Sequence, residues 1–502
     1  MAEKAELKEL ISFVQEKGFI YGPEPEIYGG ISGFYTYGPL GKLLKNRVEN
    51  AIRSVFRKYS FYEVECPVVM PSKVWEASGH LGGFTDPLIK AEDGAAYRVD
   101  TLIEENCPGI NIAGFSDEKL LGVIREKGLL APNGKKLIPE ILNHSLMMRT
   151  TIGVDTEAYN RPETATTTYL PFPRYCNFFR DKFPFGVFQI GKAFRNEISP
   201  RQHVLRGREF TQAEGQLFIF DNQKNNFPKF EMVKEMKLPL WDHKSQEKGD
   251  KIPKLSLADA IQNKILKNQA YSWTLALAYE LFVAMGIPEE RIRLRQHHPD
   301  EMAFYADDAW DVEINLNSFG WVECCGVHDR TDYDLTQHAK FSGQELMARD
   351  ENNEKKVPHV LEIAFGSDRP TFALLDIFYS KKEKDEGKTT FEIPYSLAPI
   401  NVAVFPLMKK PELIKIASDI YLDLSSEFIA QYDESGAIGR RYLRQNSVGT
   451  PFCLTVDYDS LENKDVTIRD RDSGEQKRVP VDKLKGYLRD LFNKEIEFNS
   501  LP

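Results

Sequence analysis

The sequence predicts an α+β fold in which an antiparallel sheet flanked by helices is followed by a smaller α/β domain. Strand-like runs separated by turn residues recur between about residues 160 and 366, which is the pattern of an antiparallel sheet. From about residue 396 onward, strand and helix patterns alternate, as they do in a small α/β unit. The length of 502 residues also exceeds what one core accommodates and indicates about two to four domains.

The first 100 residues predict a helix, a glycine-rich turn, a second helix and a strand, in that order. The opening segment mixes charged residues with apolar ones at helical spacing, which is typical of an amphipathic helix and not of a signal or transit peptide. Glycine and proline punctuate residues 29–41 before the second helix, and a β-rich stretch at 61–71 stops at prolines. Residues from about 105 to 140 are irregular, and we interpret them as an insertion.

The middle of the chain predicts the strands of the antiparallel sheet. A hairpin occupies residues 189–214, and two or three further strands lie within residues 302–335. A last strand leads through a Gly-Ser-Asp turn into an apolar helix between residues 358 and 379. Residues 221–272 are charged and helical in pattern, so we interpret them as a second insertion.

A domain boundary is predicted near residue 395. A charged loop followed by two prolines precedes this point, and the pattern then changes to strand, helix, strand, helix. The boundary separates a domain of residues 1–395 from a C-terminal α/β domain of residues 396–502.

Composition and charge argue against several classes of protein. A net charge of −10 argues against coating of nucleic acid through bulk electrostatics, although basic patches occur at residues 199–208 and 439–444. No apolar run approaches the ~20 residues of a membrane span. None of the six cysteines forms a CxxC pair, so neither a zinc ribbon nor a disulfide framework is supported, and a reduced, cytoplasmic setting is expected.

The hairpin at residues 189–214 carries an unusual polar face. Alternation puts Arg195 and Glu197 on one face of its first strand, and Phe210, Gln212 and Glu214 on one face of its second. Such a face is either simply wetted by solvent or part of a functional site.

Acids and arginines recur on the neighbouring strand patterns, at Glu163, Glu323, Glu362 and Arg369. If these strands are neighbours in one sheet, a single face gathers several carboxylates and at least two arginines. The side chains either satisfy one another in salt bridges or hold a ligand with both charges, since arginine suits phosphate and carboxylates suit an ammonium ion or a metal. No P-loop or dinucleotide-binding glycine motif occurs, so a nucleotide would not bind in either of those ways.

Three segments resemble the sequence motifs of class II aminoacyl-tRNA synthetases. The segment YEVECPVVMPSKVWEASGH, which contains Pro67, resembles motif 1. The segments FRNE and REFTQAE resemble motif 2, and FGSDR, which ends in Arg369, is similar to motif 3. Further segments resemble the glycyl-tRNA synthetases of the dimeric archaeal and eukaryotic type: GGISGFYTYGPLG, RPETA, FRNEISPR, MAFYADDAWD, RTDYDL, SGAIGRRY and TIRDRDS. Together these motifs cover nearly the whole chain apart from the two insertions.

The resemblance implies a class II antiparallel sheet with a C-terminal anticodon-binding domain. It implies that the protein activates glycine with ATP to glycyl-adenylate, with Mg²⁺, and transfers glycine to the 3′ end of tRNA(Gly). A homodimer built through the motif 1 region, in the cytoplasm and without membrane attachment, is also implied.

The resemblance further assigns roles to individual residues. Arg195 would grip the α-phosphate and Arg369 the γ-phosphate, which makes them the catalytic pair, while Phe210 would stack beneath adenine. The remaining ATP-binding residues would be Asn196, Glu197, Arg206, Glu323 and Cys324; the glycine-binding residues Arg98, Glu163, Glu214, Glu362 and Ala364; and the tRNA-binding residues Arg440, Arg441 and Arg444. No residue is assigned to a metal.

Two positions depart from the family pattern. Glu362-Ile363-Ala364 stands where the family has Glu-Pro-Ser, whose serine hydroxyl helps to hold the ammonium group, and Phe304 stands where relatives often have histidine. Two other functions remain possible at this point: a non-enzymatic binding protein like the accessory subunit of the mitochondrial DNA polymerase, and a synthetase for another small amino acid.

Overall fold

A computed structural model of the protein describes residues 2–107, 110, 112, 115–198, 200, 203–302, 306–381 and 389–502. Phe304, one of the two departures from the family pattern, lies outside the described residues.

The N-terminal segment supplies a long helix that packs beneath the main sheet. This helix starts at Pro39, a residue favoured in the first helical turn, and buries Leu44, Val48, Ile52 and Phe56 at four-residue spacing. The elements here are α1 (Ala2–Glu16), β1 (Ile20–Tyr21), β2 (Thr36–Tyr37), α2 (Pro39–Lys58) and β3 (Phe61–Glu63).

Two small three-stranded sheets follow, in the orders β4-β9-β8 and β6-β5-β7. The second sheet covers a core of its own with helices α5 and α6, so the segment predicted as an irregular insertion is in part helical. The elements are β4 (Val69–Pro71), α3 (Ser72–Ala77), α4 (His80–Gly83), β5 (Thr85–Ala91), β6 (Ala96–Arg98), α5 (Val99–Asn106), α6 (Asp117–Glu126), β7 (Leu137–Ser145), β8 (Met148–Ile152) and β9 (Thr156–Asn160).

The predicted hairpin is present as two long antiparallel strands, preceded by two short helices. Its register pairs Phe185 with Phe218 and Phe194 with Glu209. The elements are α7 (Ala165–Tyr169), α8 (Phe172–Phe179), β10 (Phe185–Phe194) and β11 (Glu209–Ile219).

The segment predicted as a helical insertion contributes two strands to the main sheet, so the helical prediction for residues 221–272 is wrong in part. Its β-branched residues are few, but β12 is buried at three consecutive residues, Leu238, Pro239 and Leu240. The elements are β12 (Lys237–Trp241), α9 (His243–Lys248), β13 (Lys254–Ser256), α10 (Leu257–Gln262) and α11 (Gln269–Ala284).

The remaining strands of the main sheet come from the third quarter of the chain. They lead into the apolar helix predicted after the Gly-Ser-Asp turn. The elements are β14 (Ile292–Gln296), β15 (Asp308–Leu316), β16 (Gly320–Asp329), α12 (Tyr333–Ser342), β17 (Ala348–Arg349), β18 (Lys355–Lys356), β19 (His359–Gly366), α13 (Asp368–Phe378), β20 (Tyr379–Lys381) and β21 (Thr389–Phe391).

Among the described residues, the main sheet has nine strands in the order β13-β12-β14-β15-β16-β19-β11-β10-β3. Its neighbours are antiparallel except for the β12/β14 and β10/β3 pairs. One face packs on α11, whose residues are buried on nearly every side, and on α2 and α13. The other face is polar but also buried, at Gln212, Glu214, Gln216 and Glu362. Buried polar groups need partners, so this face must hold hydrogen bonds or ligands.

The C-terminal part forms a five-stranded sheet with a separate core. The order is β23-β22-β24-β25-β26, with parallel pairing through β22 and antiparallel pairing beyond β24. Its core is distinct from that of the main sheet. The elements are β22 (Val402–Pro406), α14 (Pro411–Leu424), β23 (Ala430–Tyr432), α15 (Ile438–Val448), β24 (Phe452–Val456), α16 (Tyr458–Asn463), β25 (Asp465–Asp470), β26 (Gln476–Pro480) and α17 (Leu484–Phe492).

All six cysteines are free and buried. Among the helices that the structure describes, none combines the length and apolar character that a membrane span requires.

Candidate active site

A cavity of about 500 Å³ lies over the polar face of the main sheet. Strands β11, β16 and β19 form its floor, and the loop between β10 and β11 contributes to its wall. Eleven of the residues predicted to bind ATP or glycine line it: Glu163, Arg195, Glu197, Arg206, Phe210, Glu214, Glu323, Cys324, Glu362, Ala364 and Arg369.

One group of side chains in the cavity consists of three carboxylates. Glu163 accepts a hydrogen bond from the hydroxyl of Thr166 at 2.7 Å and lies 3.4 Å from Nε2 of His80. Glu214 accepts from Thr164 Oγ1 at 2.6 Å.

The third carboxylate, Glu362, is the most densely bonded of the three. It accepts from the hydroxyl of Tyr169 at 3.1 Å and from Nε2 of Gln216 at 3.3 Å. It also lies 3.1 Å from Nδ1 of His328 and accepts from Nη1 of Arg330 at 3.3 Å.

The environment drives the three pKa values apart. Burial raises the pKa of Glu214 well above its usual range, and the charges of Glu362 and Glu163 raise it further. Burial also opposes ionisation of Glu362, but Arg330 and His328 outweigh it and hold the pKa of that carboxyl at about 2. In the same way His80 and Arg330 outweigh burial at Glu163 and hold its pKa well below the usual range. Without a ligand, the environment therefore favours the protonated form of Glu214 and the charged forms of Glu163 and Glu362.

Four of the described arginines line the cavity, and three of them were predicted to bind ATP: Arg195, Arg206 and Arg369. The guanidinium of Arg195 lies 5.3 Å from the ring centre of Phe210, and its Nε donates to the carbonyl of Pro162 at 3.1 Å. Arg206 donates from Nε to Oε2 of Glu197 at 2.9 Å. The cavity thus offers both anionic and cationic groups to a ligand.

The third arginine, Arg369, follows the Gly-Ser-Asp turn at the start of α13. It donates from Nε to the carbonyl of Leu205 at 3.2 Å and from Nη1 to the carbonyl of Glu323. These bonds connect α13 to the loop after β10 and to strand β16. Arg369 is about one-third exposed, so part of its donor fork remains open to the cavity.

The alternation predicted for the first hairpin strand does not extend to Arg195 and Glu197. Strand β10 ends at Phe194, and the amide of Glu197 bonds back to the carbonyl of Arg195 at 2.7 Å. Both residues lie in the turn after the strand, where the amide of Arg195 bonds the carbonyl of Arg208 at 2.9 Å. Both side chains still line the cavity because the turn folds over its mouth.

Two predicted residues, Arg98 and Asn196, do not line the cavity, and a third, Cys324, lines it as a buried thiol. Arg98 does not line the cavity; its Nη1 lies 2.7 Å from Asp86 and 3.5 Å from Glu197, so it contacts the site only through Glu197. Asn196 also lies off the cavity wall, and its amide bonds the carbonyl of Leu146. Burial raises the pKa of the Cys324 thiol to about 12, so this wall residue presents a neutral group.

Sequence reasoning missed three cationic or titratable residues beside the acids: His80, His328 and Arg330. Arg330 is buried, and its Nε and Nη2 donate to Asp334 at 2.7 and 2.8 Å. Because Asp334 holds two of its nitrogens, Nη1 is directed to Glu362. The motif RTDYDL contained Arg330, but only the pairing of β16 with β19 shows that it reaches the acids.

The arginines predicted to contact tRNA divide into two kinds. Arg440 and Arg444 are exposed on α15, and Arg444 pairs with Asp433 at 2.5 Å. Arg441 is buried and donates to the carbonyl oxygens of Pro406 and Gly436. The structure therefore corrects the expectation for Arg441, whose guanidinium is committed to holding the C-terminal domain together.

Among the residues that the structure describes, no group of three or more His, Cys, Asp or Glu side chains is arranged to hold a metal ion. Any metal in this cavity would need most of its ligands from elsewhere, such as the phosphate oxygens of a bound nucleotide.

Comparison with known proteins gives a consistent result. A family model described as an anticodon binding domain matches residues 401–491. Proteins named glycine–tRNA ligase from Methanococcus maripaludis strain S2 and from Thermococcus kodakarensis are each 38% identical, over 96% and 98% of this chain and 99% of their own length. The relative of that name from Pyrococcus furiosus is also 38% identical, over 96% of this chain and 98% of its own.

Solved structures of class II synthetases share the fold. A prolyl-tRNA synthetase from Giardia lamblia superposes with a TM-score of 0.60 at 13% identity, over 98% of this chain and 80% of its own. A prolyl-tRNA synthetase from Cryptosporidium parvum gives a TM-score of 0.57 at 16% identity, over 97% and 77%. The predicted class II architecture is confirmed.

The buried proton on Glu214 predicts a pH effect on stability. A carboxyl group with a raised folded-state pKa contributes stability that is fully present below its unfolded pKa, about 4.3, and is lost as pH rises through the folded pKa. Glu214→Gln removes this titration. The melting temperature of the unmodified, unliganded protein should therefore fall relative to that of the variant as pH rises above about 4.

Thermal melts of both proteins across a pH series measure this difference. The exposed Glu462→Gln serves as a matched control, because its melting curve should follow the unmodified protein at every pH. A difference between Glu214→Gln and the unmodified protein that stays constant with pH would show that Glu214 holds no extra proton.

Proposed function

The chain belongs to the glycine–tRNA ligases, enzymes that activate glycine with ATP and transfer it to tRNA, and we propose that the cavity over the main sheet is where it forms glycyl-adenylate. The observation that carries this proposal is that one cavity brings the carboxylates together with arginines: Glu163, Glu214 and Glu362 with Arg195, Arg206 and Arg369. Glycine brings an ammonium group and ATP brings phosphates, so the two substrates match the two kinds of charge.

The arginines would serve the nucleotide. Arg195 would bind the α-phosphate and Arg369 the γ-phosphate, while Arg206 closes over the nucleotide. Phe210 would stack under the adenine, since its ring lines the same cavity. Asn196, Glu197, Glu323 and Cys324 complete the proposed ATP site, as the family resemblance implies.

The chemistry needs positioning more than acid–base catalysis. The glycine carboxylate attacks the α-phosphorus in line, a bond to pyrophosphate breaks, and pyrophosphate leaves with its electron pair. Fixed arginines hold two anionic groups together and neutralise the charge that grows on the phosphate oxygens. In a buried site such groups reorganise little during the reaction, which is their main advantage over water.

The carboxylates would serve the amino acid. Glu163, Glu214 and Glu362 would surround the ammonium group beside Ala364, with Arg98 acting from outside through Glu197. An ammonium ion next to Glu214 favours its charged form, so we expect glycine binding to release the proton held there. A pocket this crowded leaves no room for a β-carbon, and no standard amino acid is smaller than glycine, which makes a separate editing domain unnecessary.

Mg²⁺ is proposed to enter with ATP. Glu323 fits this role because its carboxylate is largely exposed and borders the cavity. The ion would neutralise charge on the phosphate oxygens, and it usually takes only one or two protein carboxylates when phosphates supply the other ligands.

The C-terminal domain would bind tRNA(Gly). Arg440 and Arg444 are exposed on one helix and are suited to phosphate contacts that position an RNA. Arg441 would act indirectly by maintaining that helix.

We also propose that the enzyme is a homodimer. The outermost strand of the main sheet, β3, carries the exposed Tyr62, whose ring lies 5.4 Å from those of Phe178 and Phe179. Tyr62 and Phe178 are 52% and 64% exposed, an aromatic surface that favours burial against a partner. A cytoplasmic location is supported by the six free, buried cysteines, and recovery from an exported or membrane fraction would argue against it.

ATP–pyrophosphate exchange with each of the twenty amino acids tests the proposed activation site. Exchange should depend on glycine alone, and Arg195→Ala should reduce it about 10²–10³-fold because a preorganised transition-state contact is lost. Arg489→Ala, which changes an exposed arginine of the C-terminal domain, is the matched control and should retain full exchange. Exchange with alanine or serine would instead mean a rebuilt pocket, and none with any amino acid would favour a binding protein.

Substitution of the C-terminal arginines tests the proposed tRNA surface. Arg440→Ala and Arg444→Ala should weaken tRNA binding and each lower its salt dependence by about one counterion, with glycine-dependent exchange unchanged. Arg441→Ala should instead lower the unfolding temperature of the C-terminal domain, because it leaves buried carbonyl groups unpaired. Unchanged tRNA affinity in both exposed-arginine variants, measured by filter binding, would place the tRNA surface elsewhere.

Sedimentation tests the proposed dimer. The unmodified protein should sediment at twice its chain mass of 57.5 kDa, and a Tyr62→Asp/Phe178→Asp variant at the monomer mass, because a buried charge without a partner opposes association. Tyr458→Asp alters an exposed aromatic of the C-terminal domain and should leave the dimer intact. A dimer that survives the double substitution would exclude this surface.

A further inference from the structure

We propose that His328 is a glycine-binding residue, whose Nε2 accepts a hydrogen bond from the substrate ammonium group at the point where Ala364 offers no polar side-chain atom. This inference rests on the proposed activation site and adds a specificity-determining residue to it.

The strand register brings His328 to the amino-acid end of the cavity. Across β16 and β19, His328 is paired with Glu362 and Gly326 with Ala364. Across β19 and β11, Ala364 is paired in turn with Glu214. Gly326, Ala364 and Glu214 therefore form a row across the cavity floor, and His328 stands next to that row.

The imidazole ring of His328 lies above this row of residues. A β-carbon placed on Gly326 would lie 2.5 Å from Cε1 of His328 and 3.1 Å from Nε2. The ring thus occupies the space above Gly326, with its Cε1–Nε2 edge on the side of the row. Between His328 and Glu214, the residues of this row carry no side-chain atom at position 326 and only a methyl group at position 364.

The hydrogen bond to Glu362 determines which ring nitrogen can accept. Nδ1 lies 3.1 Å from Oε1 of Glu362, and that carboxylate is ionised because Arg330 also holds it. An ionised carboxylate only accepts, so Nδ1 carries the hydrogen, and the tautomer with its hydrogen on Nδ1 leaves the lone pair of Nε2 free to accept. Within the described part of the chain, no residue hydrogen-bonds Nε2, which leaves this acceptor for a ligand.

The position of this acceptor explains how the site can function with Ala364. The family resemblance places a serine hydroxyl at residue 364, and alanine removes that acceptor. His328 supplies another from the adjoining strand, next to the same row of residues. An ammonium group has three donors, and the imidazole adds a neutral acceptor to carboxylates that already repel one another.

Kinetics of glycine-dependent ATP–pyrophosphate exchange test the proposal. His328→Ala should raise the KM for glycine about 10- to 100-fold, the value of a hydrogen bond to a charged group, and leave the KM for ATP within about twofold. His298→Ala removes an exposed histidine that pairs with Glu247, and it should leave both constants unchanged. A merely structural role for His328 would alter both constants together.

A rescue experiment separates a lost acceptor from a lost shape. Ala364→Ser should lower the KM for glycine more in the His328→Ala background than in the unmodified enzyme, because the hydroxyl then replaces the only missing acceptor. If His328→Ala does not fold, the pair His328→Gln and His328→Leu carries the same test: glutamine can donate to Glu362 and accept from glycine, and leucine can do neither.

Three outcomes would overturn the proposal. These are a KM for glycine within twofold of the unmodified value in His328→Ala, equal increases in the KM values for glycine and ATP, and equal behaviour of the glutamine and leucine variants. Absence of glycine-dependent exchange in the unmodified enzyme would be a different result, since it would refute the proposed activation site itself.

Discussion

The ion pair between Lys45 and Asp368 connects the parts of the chain from which the site is built. Both side chains are buried, and each oxygen of Asp368 is used: Oδ1 accepts from Lys45 and from the hydroxyl of Tyr37 at 2.6 Å, and Oδ2 accepts from the amide of Thr211 at 2.6 Å. Lys45 also donates to Oγ1 of Thr211 at 2.9 Å. Buried charges are tolerated only when paired and fully hydrogen-bonded, so α2, β11 and α13 have little freedom to shift relative to one another. Arg369 follows Asp368 directly, and its position is a consequence of this bond.

A second constraint acts on the opposite face of the same sheet. Three carboxylates in one buried space cannot all be charged without cations. The charge of Arg330 and the hydrogen bonds from His80 and His328 favour the charged forms of Glu163 and Glu362. At Glu214, burial and the charges of the other two carboxylates favour the protonated form. A bound ammonium group would favour the charged form of Glu214, which gives a cationic ligand an advantage over a neutral one at this site.

Much of this arrangement could be predicted from the sequence, because strand alternation places side chains on defined faces. The hairpin, Glu214, Phe210, Glu362 and Arg369 were identified from such patterns, and the resemblance to class II synthetases assigned their proposed roles. Alternation fails where the chain leaves the strand, as at Arg195, and where consecutive residues of a strand are all buried, as at Leu238 to Leu240. Sequence patterns also do not show that the guanidinium of Arg441 is buried within the C-terminal domain.

The residues that sequence reasoning missed share a physical reason. His80, His328 and Arg330 matter only through partners more than thirty positions away in the chain, so their roles depend on pairing between strands and loops. Local patterns give the face on which a side chain lies but not its neighbour across the sheet. For a single histidine or arginine, that neighbour determines whether the side chain has a structural role or lies in a binding site.

The strand register also explains why the floor at the amino-acid end of the cavity consists of residues with little or no side chain. Gly326 cannot carry a β-carbon without colliding with His328, and Ala364 beside it carries only a methyl group. Around this gap stand carboxylates whose positions are fixed by Tyr169 and Thr164. A cavity with rigid polar walls rejects a larger substrate by overlap, because interiors at crystal-like density cannot expand at low cost. Selectivity for the smallest amino acid therefore requires no attractive contact to the α-carbon, only walls that do not move.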